Sequence, residues 1–146
     1  MNNDKKSIWA IEPDLKQLNE WGAETMIGLL NIEITEFGPD FLKGRMPVDH
    51  RVHQPYGIMH GGVSCALAET VGSYAANMCV RGKGHYCVGL DINTSHLRMV
   101  KTGYVHAIAK PMHLGMKTQV WEIKTYDDHE NLVSWTRLTM AVLEKK

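Results

Sequence analysis

The chain has 146 residues, with 16 Lys and Arg against 16 Asp and Glu, so its formal net charge at pH 7 is zero. This length is typical of a single domain, and a hydrophobic share of 44% is that of a folded globular chain and not of a disordered one. The neutral charge argues against a nucleic-acid-binding protein, because such proteins carry a basic excess that meets phosphates.

The first half of the chain predicts a helical segment followed by a β-hairpin. Apolar residues recur at helical spacing over about residues 12–30, with a break at Gly22. Polar and apolar residues then alternate over residues 31–37, which predicts a half-buried strand. A Gly-Pro-Asp turn follows, and residues 41–46 are expected to return as the second strand of the hairpin.

The second half predicts one long helix and a run of strands. Residues 49–59 contain a proline and a glycine and predict an irregular loop, after which residues 61–80 predict a helix. Four further strands are expected, over residues 88–95, 105–109, 119–126 and 132–143. This order predicts an α+β fold, in which the long helix packs on an antiparallel sheet of about six strands.

The cysteines and the N-terminus favour a cytoplasmic protein. Cys65, Cys79 and Cys87 are odd in number and lack the CxxC spacing, so neither a disulfide framework nor a zinc cage is expected. No apolar run of signal-peptide length is visible near the start of the chain. Polar residues interrupt the apolar segment 61–80, so we interpret it as a core helix and not as a membrane span. The histidines show no HExxH pattern, and no metal site is predicted.

Glu69 is the only charged residue in the predicted helix 61–80. A buried carboxylate without a partner costs several kcal/mol, so such a residue is a candidate for a functional site. The alternative is that Glu69 faces solvent on an amphipathic helix. The residues on its own helical face are small and carry no cation, namely Gly62, Cys65, Ala66, Gly72, Ser73 and Ala76.

The His60-Gly61-Gly62 sequence begins the predicted helix. A helix N-terminus offers unpaired N–H groups and the positive end of the helix dipole, and glycine allows a ligand to approach the backbone closely. These are the components of an oxyanion hole, although an ordinary glycine-rich turn has the same sequence. Nine residues of helix span about 13 Å, so Glu69 is expected to reach such a site only in a second chain.

Taken together, these segments make the chain similar to the hotdog-fold thioesterases. It resembles the branch that includes the Arthrobacter-type 4-hydroxybenzoyl-CoA thioesterase, the phenylacetate-pathway thioesterases and the enterobactin-proofreading thioesterases, over about residues 26–143. The resemblance implies a single hotdog domain over residues 1–146, with a long central helix wrapped by a curved antiparallel sheet. The most specific matching stretches are residues 46–49, 54–57, 60–73, 88–93 and 113–115.

The resemblance also implies a role for individual residues. Glu69 matches the catalytic carboxylate, which acts as nucleophile or as general base for water. Gly61 matches the N–H donor that polarises the thioester carbonyl. Gln54 and His60 match a polar pair that positions the carbonyl and the water, and Ser73 matches a hydroxyl that orients the carboxylate or the water.

Four further residues are predicted to bind substrate. His96 matches a position near the acyl end of the pocket, and Gly62 continues the glycine-rich helix start. Met59 is a candidate for an adaptable acyl pocket, and Arg98 for a basic rim that meets the coenzyme A phosphates. The other candidates for this rim are Arg81, Lys83, Lys101 and Lys117.

The sequence therefore predicts an acyl-CoA thioesterase acting on an aromatic or medium-chain acyl-CoA, or on an acyl-carrier-protein thioester. The resemblance implies homodimers with shared active sites that pair into homotetramers. No cofactor is expected, since coenzyme A is part of the substrate, and neither nucleic acid nor membrane is an expected partner. Two alternatives remain: a non-catalytic acyl-CoA-binding module and, on the same fold, an enoyl-CoA hydratase. A hydratase would need an Asp/His pair on the loop into the helix, whereas the residues just before His60 offer Gln54 and Tyr56 and no acid.

Overall fold

The structure, a computed structural model, describes residues 6–146 and contains one antiparallel sheet and one long helix. The helices are α1 (Leu15–Gly22), α2 (Met26–Leu29) and α3 (Gly61–Val80), and a short 3-10 helix covers His50–Val52. The strands are β1 (Glu33–Gly38), β2 (Phe41–Pro47), β3 (His85–His96), β4 (Tyr104–Leu114), β5 (Thr118–Asp127) and β6 (Leu132–Glu144). They pair in the order β1-β2-β4-β5-β6-β3. The predicted order of two strands, a long helix and four strands is confirmed.

Helix α3 packs one face onto the sheet and so forms the core. Leu67, Ala68 and Val71 are fully buried. Gly72 allows the helix to approach the sheet closely, because a Cβ atom there would lie 2.6 Å from a methyl carbon of Leu138. Trp121 on β5 is also fully buried. The apolar area removed from water along this contact holds the long helix against the strands.

One stripe of α3 is only partly covered by the sheet, because within residues 6–146 just β3 and one residue of β6 reach it. Its members recur every three or four residues and are exposed or half-buried: Gly62, Cys65, Ala66, Glu69, Ser73 and Asn77. Two residues predicted on this face, Gly72 and Ala76, are instead buried. Gly72 turns toward Leu138, and Ala76 lies beneath β3, where its carbonyl oxygen is 3.6 Å from the Cys87 Sγ. We call the six residues the uncovered stripe.

Strand β3 is the edge strand next to the uncovered stripe. Within residues 6–146 it pairs with β6 alone, and its other edge is unpaired. Val88 and Leu90 expose 40% and 61% of their surface there. An unpaired edge with exposed apolar side chains is a template for pairing with another strand.

Several elements are longer than their patterns predict. Strand β4 continues to Leu114, past Pro111, which lacks the N–H that a sheet ladder uses. The strand accommodates this proline at a register shift between Pro111 and His113. No helix within residues 6–146 is long and apolar enough to cross a membrane. The first five residues, part of the segment in which no secretory signal was predicted, lie outside the described residues.

Candidate active site

A cleft of about 610 Å³ opens at the N-terminus of α3. Five of the nine predicted site residues line it: Gln54, Met59, Gly61, His96 and Arg98. They come from three separate parts of the chain: the loop before α3, the first turn of α3 and the end of β3. The fold therefore gathers at one helix end residues that are distant in sequence.

The two glycines at the start of α3 differ in what their N–H groups meet. The Gly62 N–H donates to Nδ1 of His60 across 2.8 Å, so the His60 ring caps the helix with an unprotonated nitrogen. The Gly61 N–H has no hydrogen-bond partner within residues 6–146. The positive end of the α3 dipole therefore presents one free donor, at Gly61, to the cleft.

His96 lies directly against Gly61. A Cβ atom at position 61 would be 2.8 Å from Nε2 of His96, so the ring would have to move to admit any side chain there. The ring reaches this place because His96 is the last residue of β3 and pairs with Ser134 of β6. The Ser134 hydroxyl is in turn 2.9 Å from the hydroxyl of Ser64 on α3, which ties this end of the sheet to the helix.

Gln54 presents an amide nitrogen from the loop before α3. Its backbone N–H donates to the Ile58 carbonyl across 2.8 Å, and its carbonyl accepts from the Gly57 N–H across 2.9 Å. Its side-chain oxygen accepts from the Tyr56 N–H. The amide nitrogen has no partner within residues 6–146 and is left as a donor. A positive φ of 73° at Gly57 lets the chain turn this tightly.

Arg98 supplies the positive charge of the cleft. Its side chain is exposed and makes no ion pair or hydrogen bond within the described part of the chain. Two other basic candidates, Lys83 and Lys117, lie elsewhere, around a larger cavity of about 890 Å³ at the C-terminal end of α3. None of the nine predicted catalytic and substrate-binding residues lines that cavity, so size alone does not identify the site.

Glu69 and Ser73 lie on the uncovered stripe, outside the cleft of their own chain. The Glu69 carboxylate is half-buried and has neither a hydrogen bond nor an ion pair within residues 6–146. The Ser73 hydroxyl is 3.9 Å from the Met140 sulfur, and no hydrogen bond joins it to Glu69. The predicted role of Ser73 in orienting the carboxylate therefore stays a prediction.

The cleft also contains apolar residues that the sequence does not mark as part of a site. Ile58, Leu97 and Val133 line it. Apolar residues in or beside strands are ordinarily core residues. Only their position in the cleft at the N-terminus of α3 distinguishes these three from core residues. Within residues 6–146, no group of three or more His, Cys, Asp or Glu side chains is placed to hold a metal ion.

Comparison of this chain with known proteins, by sequence and by structure, finds thioesterases and a related acyl-CoA hydrolase. The family model described as the Thioesterase superfamily matches residues 56–134. The 1,4-dihydroxy-2-naphthoyl-CoA hydrolase of Escherichia coli is 43% identical over 136 residues, which is 93% of this chain and 99% of that protein. The proofreading thioesterase EntH of Cronobacter turicensis is also 43% identical over 136 residues, 93% of this chain and 98% of that protein. A crystal structure of a mutant of thioesterase PA1618 from Pseudomonas aeruginosa has a TM-score of 0.93 at 43% identity, covering 94% of this chain and 99% of that one.

Proposed function

The chain belongs to the thioesterase superfamily and has its hotdog fold, and from this premise we propose that it hydrolyses acyl-CoA thioesters. Its activity as a thioester hydrolase follows from its relatives. They are named as hydrolases and thioesterases, and this chain matches them over nearly their whole length. The substrate, the mechanism and the assembly described below are our proposal.

The observation that carries the proposal is the free Gly61 N–H at the N-terminus of a 20-residue helix. A donor fixed by the helix, at its positive end, is suited to stabilising the negative charge that develops on a carbonyl oxygen. The unpaired amide nitrogen of Gln54 lines the same cleft and is a second candidate donor for the carbonyl or the water. The thioester carbonyl is proposed to bind here.

Glu69 is proposed to supply the attacking group. As general base, its carboxylate removes a proton from water while the water oxygen bonds to the carbonyl carbon. The tetrahedral intermediate then breaks its C–S bond, and the thiolate leaves and takes up a proton. As nucleophile, the carboxylate itself would bond to the carbonyl carbon while the C–S bond breaks and the thiolate leaves, and water would then hydrolyse the resulting anhydride to the free acid and the original carboxylate. Both routes need a carboxylate whose oxygens are free to act, and Glu69 has neither a hydrogen bond nor an ion pair within residues 6–146.

A second copy of the chain is proposed to bring Glu69 to the cleft. Glu69 lies eight residues beyond Gly61, so the two are about 12 Å apart along the axis of α3. The uncovered stripe and the unpaired edge of β3 lie side by side and expose apolar surface. Pairing of two such surfaces about a two-fold axis would place each Glu69 beside the partner's helix start, and a further pairing of dimers gives the proposed tetramer.

The proposed substrate is an aromatic or medium-chain acyl group on coenzyme A, or on an acyl-carrier protein. Met59, Leu97 and Met99 give the cleft adaptable apolar walls, and Arg98 adds a cation for a phosphate. The Escherichia coli relative, a 1,4-dihydroxy-2-naphthoyl-CoA hydrolase, is named for an aromatic acyl-CoA substrate. A cytoplasmic location, where coenzyme A thioesters are made, belongs to the same proposal.

The test is release of free thiol from benzoyl-CoA and octanoyl-CoA, followed with a thiol reagent. We expect turnover by the wild type and a loss of about 100-fold or more in kcat for Glu69→Gln, which keeps the shape of the side chain and removes its charge. Glu36→Gln, at an exposed position of β1, is the control and should be fully active. Full activity of Glu69→Gln would refute the mechanism. Binding of both esters without thiol release would favour the binding module, and water addition to crotonyl-CoA would favour the hydratase.

A further inference from the structure

The Glu69 carboxylate meets strand β3 at a residue without a side chain. A Cβ atom built on Gly89 would lie 2.6 Å from Oε1 of Glu69, closer than Cβ atoms approach any neighbour. The space that a side chain at position 89 would fill is thus occupied by the carboxylate. The backbone of Gly89 does not have a positive φ, so the turn chemistry that usually explains glycine does not apply here.

A β-bulge lies at the same point of β3. Gly89 pairs with Met140 and Asp91 pairs with the next residue back along β6, Thr139, so Leu90 is the extra residue. A bulge of this kind bends a strand locally and redirects the residues beside it, and glycine in a strand often marks a close approach. Here the close approach is that of the Glu69 side chain.

Asn77 fixes the distance between the helix and this part of β3. Its side-chain oxygen accepts from the Cys87 N–H across 2.8 Å, and its amide nitrogen donates to the Cys87 carbonyl across 3.2 Å. The same nitrogen donates to the Ser73 carbonyl across 2.9 Å. Asn77 is two turns beyond Glu69 on α3, and Cys87 is two residues before Gly89. This clamp holds Gly89 against the carboxylate.

We propose that Gly89 is a positioning residue for Glu69: its missing side chain, held in place by the bulge and the Asn77 clamp, leaves the space that sets the direction of the carboxylate. The inference rests on the proposed catalytic role of Glu69. It assigns a requirement of the reaction to a residue that has no side chain of its own. Any side chain at position 89 would turn the carboxylate away while leaving the cleft unchanged.

The test is Gly89→Ala, assayed for thiol release from benzoyl-CoA. The added methyl group meets only the end of a flexible side chain, so we expect the thermal midpoint and the elution volume in gel filtration to match the wild type. We expect kcat to fall by about 10- to 100-fold because the reacting group is misplaced by about 1 Å, with KM within about 2-fold. Lys110→Ala, at an exposed position of β4 that belongs neither to the cleft nor to the β3 edge, should keep wild-type kcat and KM.

A double-mutant cycle separates positioning from general damage. In a Glu69→Asp background the carboxylate is shorter by one methylene, so Gly89→Ala should change kcat by less than about 3-fold. An equal fall in kcat in the wild-type and Glu69→Asp backgrounds would overturn the inference, as would a Gly89→Ala enzyme with wild-type kcat. If Glu69→Gln is inactive while Gly89→Ala is fully active, this inference fails and the proposed function stands. If Glu69→Gln is fully active, both fail.

Discussion

Neighbouring residues of the same type have different surroundings at the start of α3. Gly61 and Gly62 are adjacent in sequence, but within residues 6–146 only the Gly61 N–H is free, because the His60 ring accepts the other. Gly61 also lacks room for any side chain, since His96 lies against it, whereas Gly62 is exposed. The two glycines therefore contribute differently to the site, and substitution separates their contributions.

We expect Gly61→Ala to lower kcat/KM by about 10- to 100-fold, because the new methyl group must displace the His96 ring from the helix end. The N–H donor itself is retained in this variant. Gly62→Ala is the matched control: its methyl group would lie 3.1 Å from Nδ1 of His60, which a small shift of that exposed ring relieves. We expect less than about a 3-fold change there. Steady-state kinetics with benzoyl-CoA measure kcat/KM for both variants. Equal losses of kcat/KM would show that displacing the His96 ring has no effect of its own.

The cysteines give a second prediction at this scale. Burial raises the pKa of Cys79 to about 12 and that of Cys87 to about 11, so both thiols stay protonated near neutral pH. The thiolate is the reactive form, and Cys65 is the half-buried member of the three. We expect iodoacetamide at about pH 8 to leave Cys79 and Cys87 unmodified in the folded protein and to modify both after unfolding in urea, as measured by peptide mass spectrometry. Early labelling of Cys79 would contradict the packing of α3 against β3.

Among the elements, the loop before α3 has to hold Gln54 in place without regular secondary structure. Asp49 caps the 3-10 helix and accepts from the Arg51 backbone and guanidinium at 2.8 to 3.0 Å. Arg51 also donates to the Leu29 carbonyl across 2.9 Å, which joins the loop to α2. Polar contacts at both of these points fix the loop that presents Gln54 to the cleft.

Hydrogen bonds from the Arg51 side chain and backbone, with its positive charge, lower the pKa of Asp49 from 3.8 to about 2. A carboxyl whose pKa is depressed by folding stabilises the fold above its unfolded pKa and loses that contribution as the pH falls. The stabilisation is therefore complete above about pH 4 and disappears as the pH approaches about 2. Asp49→Asn should lower the urea midpoint at pH 6 and have no effect near pH 2.

Arg51→Gln is the companion variant: it should remove the same pH-dependent contribution and, in addition, lose stability at both pH values because Arg51 also donates to the Leu29 carbonyl. The double variant should be no less stable than Arg51→Gln at pH 6. A loss of stability in Asp49→Asn that is equal at both pH values would mean that Asp49 acts through its cap geometry and not through its charge.

At the scale of the whole molecule, the chain contains all the proposed catalytic groups but does not bring them together. Gln54, Gly61 and His96 line the cleft, whereas Glu69 lies on the uncovered stripe beside the unpaired edge of β3. A fold in which one surface carries both an exposed sheet edge and the unpaired carboxylate is suited to a shared site. Assembly and activity are then expected to depend on each other.

Mixing two inactive variants tests this dependence. Glu69→Ala chains and Gln54→Ala chains, unfolded together and refolded in equal amounts, should regain about a quarter of the wild-type sites, because one of the two sites in each hybrid dimer is intact. Each variant refolded alone is the control and should stay inactive. A mixture that remains inactive while gel filtration shows hybrid dimers would contradict shared sites, and so would an active monomer.

The two ends of β3 show how far sequence reasoning extends. Alternation predicts a strand over 88–95, and the structure extends it to His85 and His96. The ends are missed because an exposed edge strand loses the clean apolar alternation that a half-buried strand shows. The Leu90 bulge is likewise invisible in the pattern, since pairing with β6 creates it. Contacts with the sheet also explain why Gly72 and Ala76, predicted on the same helical face as Glu69, are buried.

By itself, the sequence determined the order of elements, the single charged residue of α3 and the glycine-rich start of that helix, because these depend on local periodicity and on residue type. Only the tertiary structure decided that the Gly61 N–H is free and that of Gly62 is not, since the orientation of the His60 ring selects between them. It also decided that His96 and Arg98 reach the cleft and that Glu69 rests against Gly89. These are contacts between residues far apart in the chain, and their geometry is set by strand register and helix packing, which no local pattern encodes.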